Sequence, residues 1–485
     1  MSENSVKKNI AYNSFYNILV ILIPFVLNPY VSRKLGAEGI GVYSFTLAVA
    51  NYFKRASLLG NEKYGNRSIA LVKENNAEKR KSFWSIYKIQ FLFSLACILM
   101  YSLYLVFWNT RGSSSTIQLL FILSSTFDVS WFYFGQEKFK PVILLNTIFK
   151  LLYLITTFVF VNSQNDVDVY ILLSALSYFL PSFLLFIYTL FTVTYVKSSN
   201  LDLVNVLKGT LILFIPVIAV TVYKSMDKLM LGIMSSTAYE NGIYENSEKI
   251  LHVPIAVITA VSTVLMPRMT SLFNKKDEDG AKKYISLTAL YSSFIAMAAT
   301  FGIIGISSIF TSVYWGKGFE ECSLLLKLFS VSVPFMSLAE IIRTQYIIPN
   351  KLDSFYVQAV IIGAIINLLV NLALIPRYGA EGAVIGTIVA EASVCIYQLF
   401  KVRRFLPVAS YCLYFIKFIP PGLSMGVLLI IITNNLKYSI ANLVLSFIIG
   451  LILYFVFALI MLKLFDNHSF NQITGATKKL INRKG

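Results

Sequence analysis

The sequence predicts an all-α polytopic membrane protein, and three observations point there. Apolar runs of bilayer length recur from residue 10 to residue 465, with short polar breaks between them. Successive breaks alternate between rich and poor in Lys and Arg. The 485-residue chain is 56% hydrophobic and only 14% charged, with a mean hydropathy of +0.69. A hydrocarbon core of about 30 Å needs roughly 20 apolar residues per helix, and soluble domains do not hold such a composition over this length.

Fourteen spans follow in order. "MSENSVKKN" leads into the first, near 10–32, with no small-residue cleavage site, so it is read as a retained helix rather than a signal peptide. The second lies near 39–60. The stretch 61–82, "NEKYGNRSIALVKENNAEKRKS", is too charged to cross and reads as a surface helix or loop. Spans three to six lie near 83–108, 116–135, 141–162 and 167–196, and spans seven to ten near 205–232, 250–274, 283–312 and 319–349. The last four lie near 353–375, 380–400, 411–433 and 440–465. "GAEG" occurs at outer turns, 36–39 and 379–382, where glycine permits a tight reversal. Pro24, Pro216, Pro254 and Pro334 fall within or at the start of spans and bend them. Trp84, Trp108, Trp131 and Trp315 all fall near span ends, the place of headgroup anchors.

The formal charge of +18 would suggest nucleic acid in a soluble protein. With the N-terminus inside, the inner loops and both termini hold about 25 Lys and Arg against about 7 outside. That asymmetry puts both termini in the cytoplasm, absorbs much of the charge and removes the need for a nucleic-acid partner. The four cysteines have no metal or disulfide spacing. His252 and His468 are the only histidines, so neither a metal site nor a Ser-His-Asp triad is expected, and the chain is not read as an enzyme.

"LIPFVLNPY" (22–30) resembles "FIPVIAVTVY" (214–223) at an offset of 192, and "LF" at 190–191 and 399–400 gives 209. Six spans per copy leave both copies in the same orientation, as in parallel repeats. The expected units are residues 1–200, helices 1–6; 201–406, helices 7–12; 407–466, helices 13 and 14 as an appendage; and 467–485, a cytoplasmic tail.

Charges at membrane depth usually face protein or water. In "TVYKSMDKLML", Lys224, Asp227 and Lys228 stand at i, i+3 and i+4 and share a helical face. They form either one wall of a hydrated cavity or a snorkelling cluster near the outer end of the seventh span. Asn9, Asn13 and Asn17 make an amide stripe, for substrate or for helix association. Lys54 and Arg55 sit near the inner end of the second span, at cavity or interface. Asp128 in the fourth span is a proton or cation-site candidate. Glu340 and Arg343 are a buried pair or a substrate site, and Glu391 has no local partner. Lys150 and Lys417 are expected to snorkel.

The segments "RKLGAEGIGVYSFTLAVANYF" (33–53), "WFYFGQEKFK" (131–140), "LHVPIAVITAVSTVLMPRMTSLF" (251–273) and "QYIIPNK" (345–351) resemble the Wzx-type oligosaccharide flippases. These belong to the multidrug/oligosaccharidyl-lipid/polysaccharide exporter superfamily. The resemblance runs from about residue 5 to 465, each motif being loose and their order along the spans more specific. It implies two six-helix lobes around a central cavity, with helices 13 and 14 forming a groove for a lipid tail. It implies a bacterial plasma-membrane flippase that moves undecaprenyl-diphosphate-linked oligosaccharide by alternating access. On that analogy Asn13, Asn17, Lys54, Arg55, Lys224, Asp227 and Lys228 lie on cavity-lining helices. The first span lacks the dense arginines of the lipid II flippase, which favours a capsule or exopolysaccharide repeat unit over lipid II.

The chemistry agrees. A diphosphate and a hydroxyl-rich glycan cannot cross hydrocarbon unaided, and lysines bind phosphate as flexible point charges. No bound cofactor is expected. Asp128, Glu340 and Glu391 are candidates for Na⁺ or H⁺ coupling, and the partners implied are membrane lipid, the lipid-linked oligosaccharide and other polysaccharide-assembly proteins. A drug or cation antiporter of the same superfamily would want acidic, aromatic-lined pockets. A membrane glycan polymerase would want a larger outer loop than "SSTAYENGIYENSEK".

Overall fold

The computed structural model of the chain describes residues 3–108, 111–197, 199–235, 237–467 and 470–471, without the side chains of 3–18, 21, 200 and 201. No strand occurs among the described residues. The helices are α1 (Glu3–Leu58), α2 (Asn61–Leu71), α3 (Asn76–Trp108), α4 (Ser113–Thr126), α5 (Ser130–Gly135), α6 (Phe139–Phe160), α7 (Val167–Thr192) and α8 (Asn200–Met234). They continue with α9 (Tyr239–Asn274), α10 (Glu278–Tyr314), α11 (Cys322–Ser330), α12 (Val333–Ile342), α13 (Asp353–Val402), α14 (Val408–Lys417), α15 (Ile419–Asn434) and α16 (Ile440–Phe465). A π-helical turn, Arg343–Ile347, extends α12.

By length and hydropathy, ten of these pass as membrane spans among the described residues, and eleven if α11 and α12, bent by 41°, count as one. That count does not reach the expected fourteen. Part of the difference is that α1 is not among the ten and that α13 is counted once; both run through a sharp turn. Gly36 (φ 69°, ψ 176°) and Gly379 (φ 51°, ψ −127°) break them internally. Both are the first glycine of a "GAEG", and glycine adopts positive φ without a Cβ penalty.

The charged stretch after the second span forms α2, which buries Asn61, Gly65 and Ile69 on one face. Gly65 is required there, because a Cβ would stand 2.4 Å from the Trp131 ring. Trp131 is fully buried in an aromatic core with Phe83 and Phe132. Trp315 is fully buried too. Neither is a headgroup anchor, contrary to expectation, because each ring packs among other aromatics near a helix end. Trp108 is 68% exposed and fits the anchoring role.

The fourth span breaks between α4 and α5, at residues 127–129. An interrupted helix in lipid must have its freed carbonyls satisfied from within. Gln90 of α3 does this, its Nε2 donating to the carbonyls of Ser125 (2.6 Å) and Asp128 (2.9 Å). Trp131 Nε1 in turn donates to Gln90 Oε1 at 3.0 Å.

The chain divides into two compact units, Met1–Gly242 and Ile243–Gly485. In the first, α1 packs against α3, α4, α6 and α8; in the second, α10 packs against α11, α12 and α14 to α16. Helix α8, expected to open the second unit, is counted with the first.

Two segments at an offset of 201 share a pattern. Ala37 and Gly41 match Ala238 and Gly242, each pair in small-xxx-small spacing. The two segments, both in the first unit, cross backbone to backbone. A Cβ on Gly41 would lie 1.7 Å from the Ala238 carbonyl oxygen, and one on Gly242 would lie 1.8 Å from that of Ala37. The contact is reciprocal, each glycine meeting the alanine carbonyl of the other segment. The next tyrosines also correspond: Tyr43 hydroxyl bonds Ser174 Oγ (3.1 Å), and Tyr244 hydroxyl bonds Thr387 Oγ1 (2.9 Å).

Candidate functional site

In the first unit, Lys54 of α1 points inward among α4 and α7. Its Nζ donates to Ser124 Oγ at 2.8 Å and lies 4.2 Å from the Phe121 ring and 4.8 Å from the Tyr178 ring. Lys150 of α6 approaches the same Tyr178, 3.7 Å from the ring centroid, and donates to Ser177 Oγ at 3.1 Å. Two ammonium groups from different helices thus share one aromatic ring and two serine hydroxyls. Lys150 does not snorkel as expected, because Ser174, Ser177 and Tyr178 put hydroxyls and a π-face on one stripe of α7 within its reach. Cation–π contacts contribute roughly 0.5–2 kcal/mol each, more when desolvated. Tyr178 remains 38% exposed, so the cluster is reachable from one side.

Asp128 stands at the α4–α5 break, its Oδ1 accepting from Ser130 N–H at 3.0 Å. Its charge attracts Lys54, as does that of Glu62, while Arg55 and Lys150 repel it. Arg55 itself turns away from the cluster and binds both carboxylate oxygens of Glu62 on α2, at 3.1 and 3.2 Å. The structure therefore brings Lys54 and Asp128 together with Lys150 and separates Arg55 from them.

The charged end of α8 is not one uniform face. Lys224 is exposed, Asp227 is 4% exposed and Lys228 is half-buried. Asp227 lies within electrostatic reach of Tyr52 on α1, whose hydroxyl points to the Val222 carbonyl at 3.5 Å. Asn241 donates to the Lys228 carbonyl at 2.8 Å and accepts from Ser44 at 3.4 Å. Asn13 and Asn17 fall on α1, but their side chains lie outside the described residues.

The second unit carries a different group. Arg343 donates to Glu340 Oε2 through Nη2 (2.5 Å) and Nε (3.2 Å), and its guanidinium lies 5.3 Å from the Tyr356 ring. Glu391, expected to be without a local partner, acts on the same Tyr356. Among the described residues, Glu340 Oε1 is buried with no hydrogen-bond partner, and so are both amide atoms of the fully buried Gln345. Such groups in a native interior call for a reason. They adjoin or lie in the π turn, a geometry frequent at functional sites. Lys417, also expected to snorkel, instead pairs with Asp466 at 2.6 Å.

Sequence reasoning missed Lys150, Tyr178, Ser124 and Ser177. The signal available was the Ser174, Ser177, Tyr178 spacing, one helical stripe of hydroxyls in an otherwise apolar span.

Long apolar helices, broken spans sealed by side-chain amides and ionised groups held at depth define a multi-pass helical membrane protein of the transporter class. The family described as "Polysaccharide biosynthesis protein" matches residues 6–273, more than half of the chain, and the chain belongs to it. This bears out the Wzx-type resemblance. A "Putative O-antigen transporter" of Shigella dysenteriae is 22% identical over 405 residues, covering 82% of this chain and 100% of that protein. One of the same description from Escherichia coli (strain K12) is 21% identical over 409 residues, covering 82% and 97%. The structure of "Lipid II flippase MurJ, inward closed conformation" aligns with a TM-score of 0.73 at 17% identity, covering 94% of this chain and 98% of that one. That likeness establishes the fold.

Proposed function

We propose that the protein is a flippase that carries a polyprenyl-diphosphate-linked oligosaccharide repeat unit from the inner to the outer leaflet of the bacterial plasma membrane by alternating access. Its product serves capsule or exopolysaccharide synthesis, and both termini are cytoplasmic. The observation that carries this reading is the Lys54–Lys150 pair, two ammonium groups held over Tyr178 beside serine hydroxyls within the family's fold. Point charges of this kind suit a phosphate, and neighbouring hydroxyls suit a glycan. Asp128, Glu340 and Glu391 are the carboxylates proposed for Na⁺ or H⁺ coupling. Glu340 is favoured among them because one of its oxygens is buried without a partner.

The test is reconstitution in proteoliposomes with a fluorescent undecaprenyl-diphosphate tetrasaccharide, scoring inside-to-outside exposure by a membrane-impermeant quencher. Protein-dependent exposure that falls in Lys54→Ala and Lys150→Ala is expected. Full activity in both variants would remove the assignment. Lipid II in the same assay separates the peptidoglycan reading, and polymer of more than one unit formed in the vesicle would indicate a polymerase.

A further inference from the structure

The Lys- and Arg-rich end of the first unit holds a cavity of about 690 Å³ whose lining includes neither Lys54 nor Lys150. Its size falls within the roughly 300–1,000 Å³ range of small-molecule sites. Arg80 on α3 and Lys138 and Lys140 at the start of α6 line it, with no Asp or Glu among the lining residues.

The neighbouring cations are compensated and these three are not. Lys73 pairs with Glu137 at 2.8 Å and Lys81 with Asp202 at 2.9 Å, and neither acid lines the cavity. Lys79 is engaged by the Lys73 carbonyl and Asn76 Oδ1, at 3.1 and 2.8 Å. The side chains of Arg80, Lys138 and Lys140 make no ion pair or hydrogen bond among the described residues.

The backbone fixes this arrangement. Helix α5 ends in a Schellman turn: Glu137 N–H donates to the Phe134 carbonyl, Lys138 N–H to that of Tyr133, and Glu137 takes φ 61°. Helix α6 then begins at once, with no side-chain cap on its first N–H groups. Its positive end adds to the lysine charges.

One flank is apolar. Leu144 and Tyr188 line the cavity and are 52% and 54% exposed, and Phe191, one turn after Tyr188 on α7, is exposed too. Both α6 and α7 are long and apolar enough to lie in the bilayer. A soluble phosphate would have no use for this flank, whereas an amphiphile with an anionic head would. Basic pockets between helices at a charged membrane face take such headgroups.

We propose that this cavity binds the phosphate headgroup of an anionic membrane phospholipid, whose acyl chains lie along α6 and α7. The experiment uses the full-length protein in phosphatidylcholine nanodiscs doped with palmitoyl-oleoyl phosphatidylglycerol, with retained lipid counted by native mass spectrometry. Arg80→Gln, Lys138→Gln and Lys140→Gln should each weaken phosphatidylglycerol retention about fivefold, and together on the order of a hundredfold, at about 1 kcal/mol per cation. Lys73→Gln and Lys81→Gln, the paired cations of the same end, should leave it unchanged. Equal retention by the triple variant would overturn the proposal. So would competition by inorganic phosphate at the same concentration, which would mark a free-anion site, or a triple variant that loses undecaprenyl diphosphate while keeping phosphatidylglycerol. If the triple variant is not monodisperse, the three single variants decide, since each changes one exposed side chain.

Discussion

The first unit holds its buried positive charge over rings and hydroxyls, while the second holds it against a carboxylate. Lys54 and Lys150 sit on Phe121 and Tyr178 with serine hydroxyls as acceptors, and Asp128 acts on Lys54 through its field rather than as a direct ion pair. Arg343 grips Glu340 directly. The backbone devices of the two units nevertheless agree. Each has a span turned at the first glycine of a "GAEG", a tyrosine hydroxyl tied to a serine or threonine, and a Schellman turn opening the next span. Those Schellman turns put Glu137 (φ 61°) and Lys351 (φ 59°) in the left-handed region, two residues before α6 and α13. The difference teaches that satisfying backbone groups in lipid leaves a scaffold little freedom. Side-chain charge is free to diverge once the backbone is satisfied.

The largest expected effect lies where two backbones cross most closely. Gly41→Val or Gly242→Val forces a Cβ onto a carbonyl oxygen of the opposite segment, with no flexible side chain to give way. Overpacking of this kind costs at least about 1–3 kcal/mol. Each variant should lose most of its monodisperse peak in detergent size-exclusion chromatography. If only one does so, the reciprocity of the crossing is broken as a structural idea.

Next come the ammonium groups peculiar to the first unit. Lys54→Ala combined with Lys150→Ala should lower flux about tenfold or more, from the loss of two point charges that each attract an anionic headgroup by about 1 kcal/mol. Membrane yield should stay at the wild-type level, because both sites adjoin the partly exposed Tyr178. A fall in yield matching the fall in flux would recast the cluster as structural.

These cases also show what the sequence could tell. Hydropathy and "GAEG" located the membrane helices and their glycine turns, because lipid leaves few alternatives for backbone. Lys54, Asp128, Glu340 and Arg343 stood out because charge at depth is rare. Lys150 did not, since its distance from a span end says nothing of the α7 hydroxyls facing it. Trp131 and Trp315 misled for the same reason: the end of a helix can be the centre of a core. The reciprocal glycine crossing joins residues about two hundred positions apart, and only packing reveals it.

A smaller effect should follow from cutting the pair in the second unit. Glu340→Gln leaves Arg343 partly buried, with side-chain exposure of 28%, and without its carboxylate. A stability loss of about 1–3 kcal/mol is expected. Glu340→Gln with Arg343→Met should recover much of it, since no unpaired charge remains. If thermal unfolding finds the double variant no better than the single, the pair is not the organising contact of that unit.

The smallest effect belongs to α8. Lys224 is exposed and has no ion pair among the described residues. Lys224→Ala should therefore change stability by no more than about 0.5 kcal/mol. Asp227 is buried beside Tyr52, and Asp227→Ala should cost more than either flanking lysine. Ranked flux and unfolding data for the three alanine variants test this order. A dominant loss at Lys224 would mean that its exposed ammonium meets substrate. The phosphate chemistry would then extend beyond the Lys54–Lys150 cluster to a side chain that the fold itself leaves unengaged.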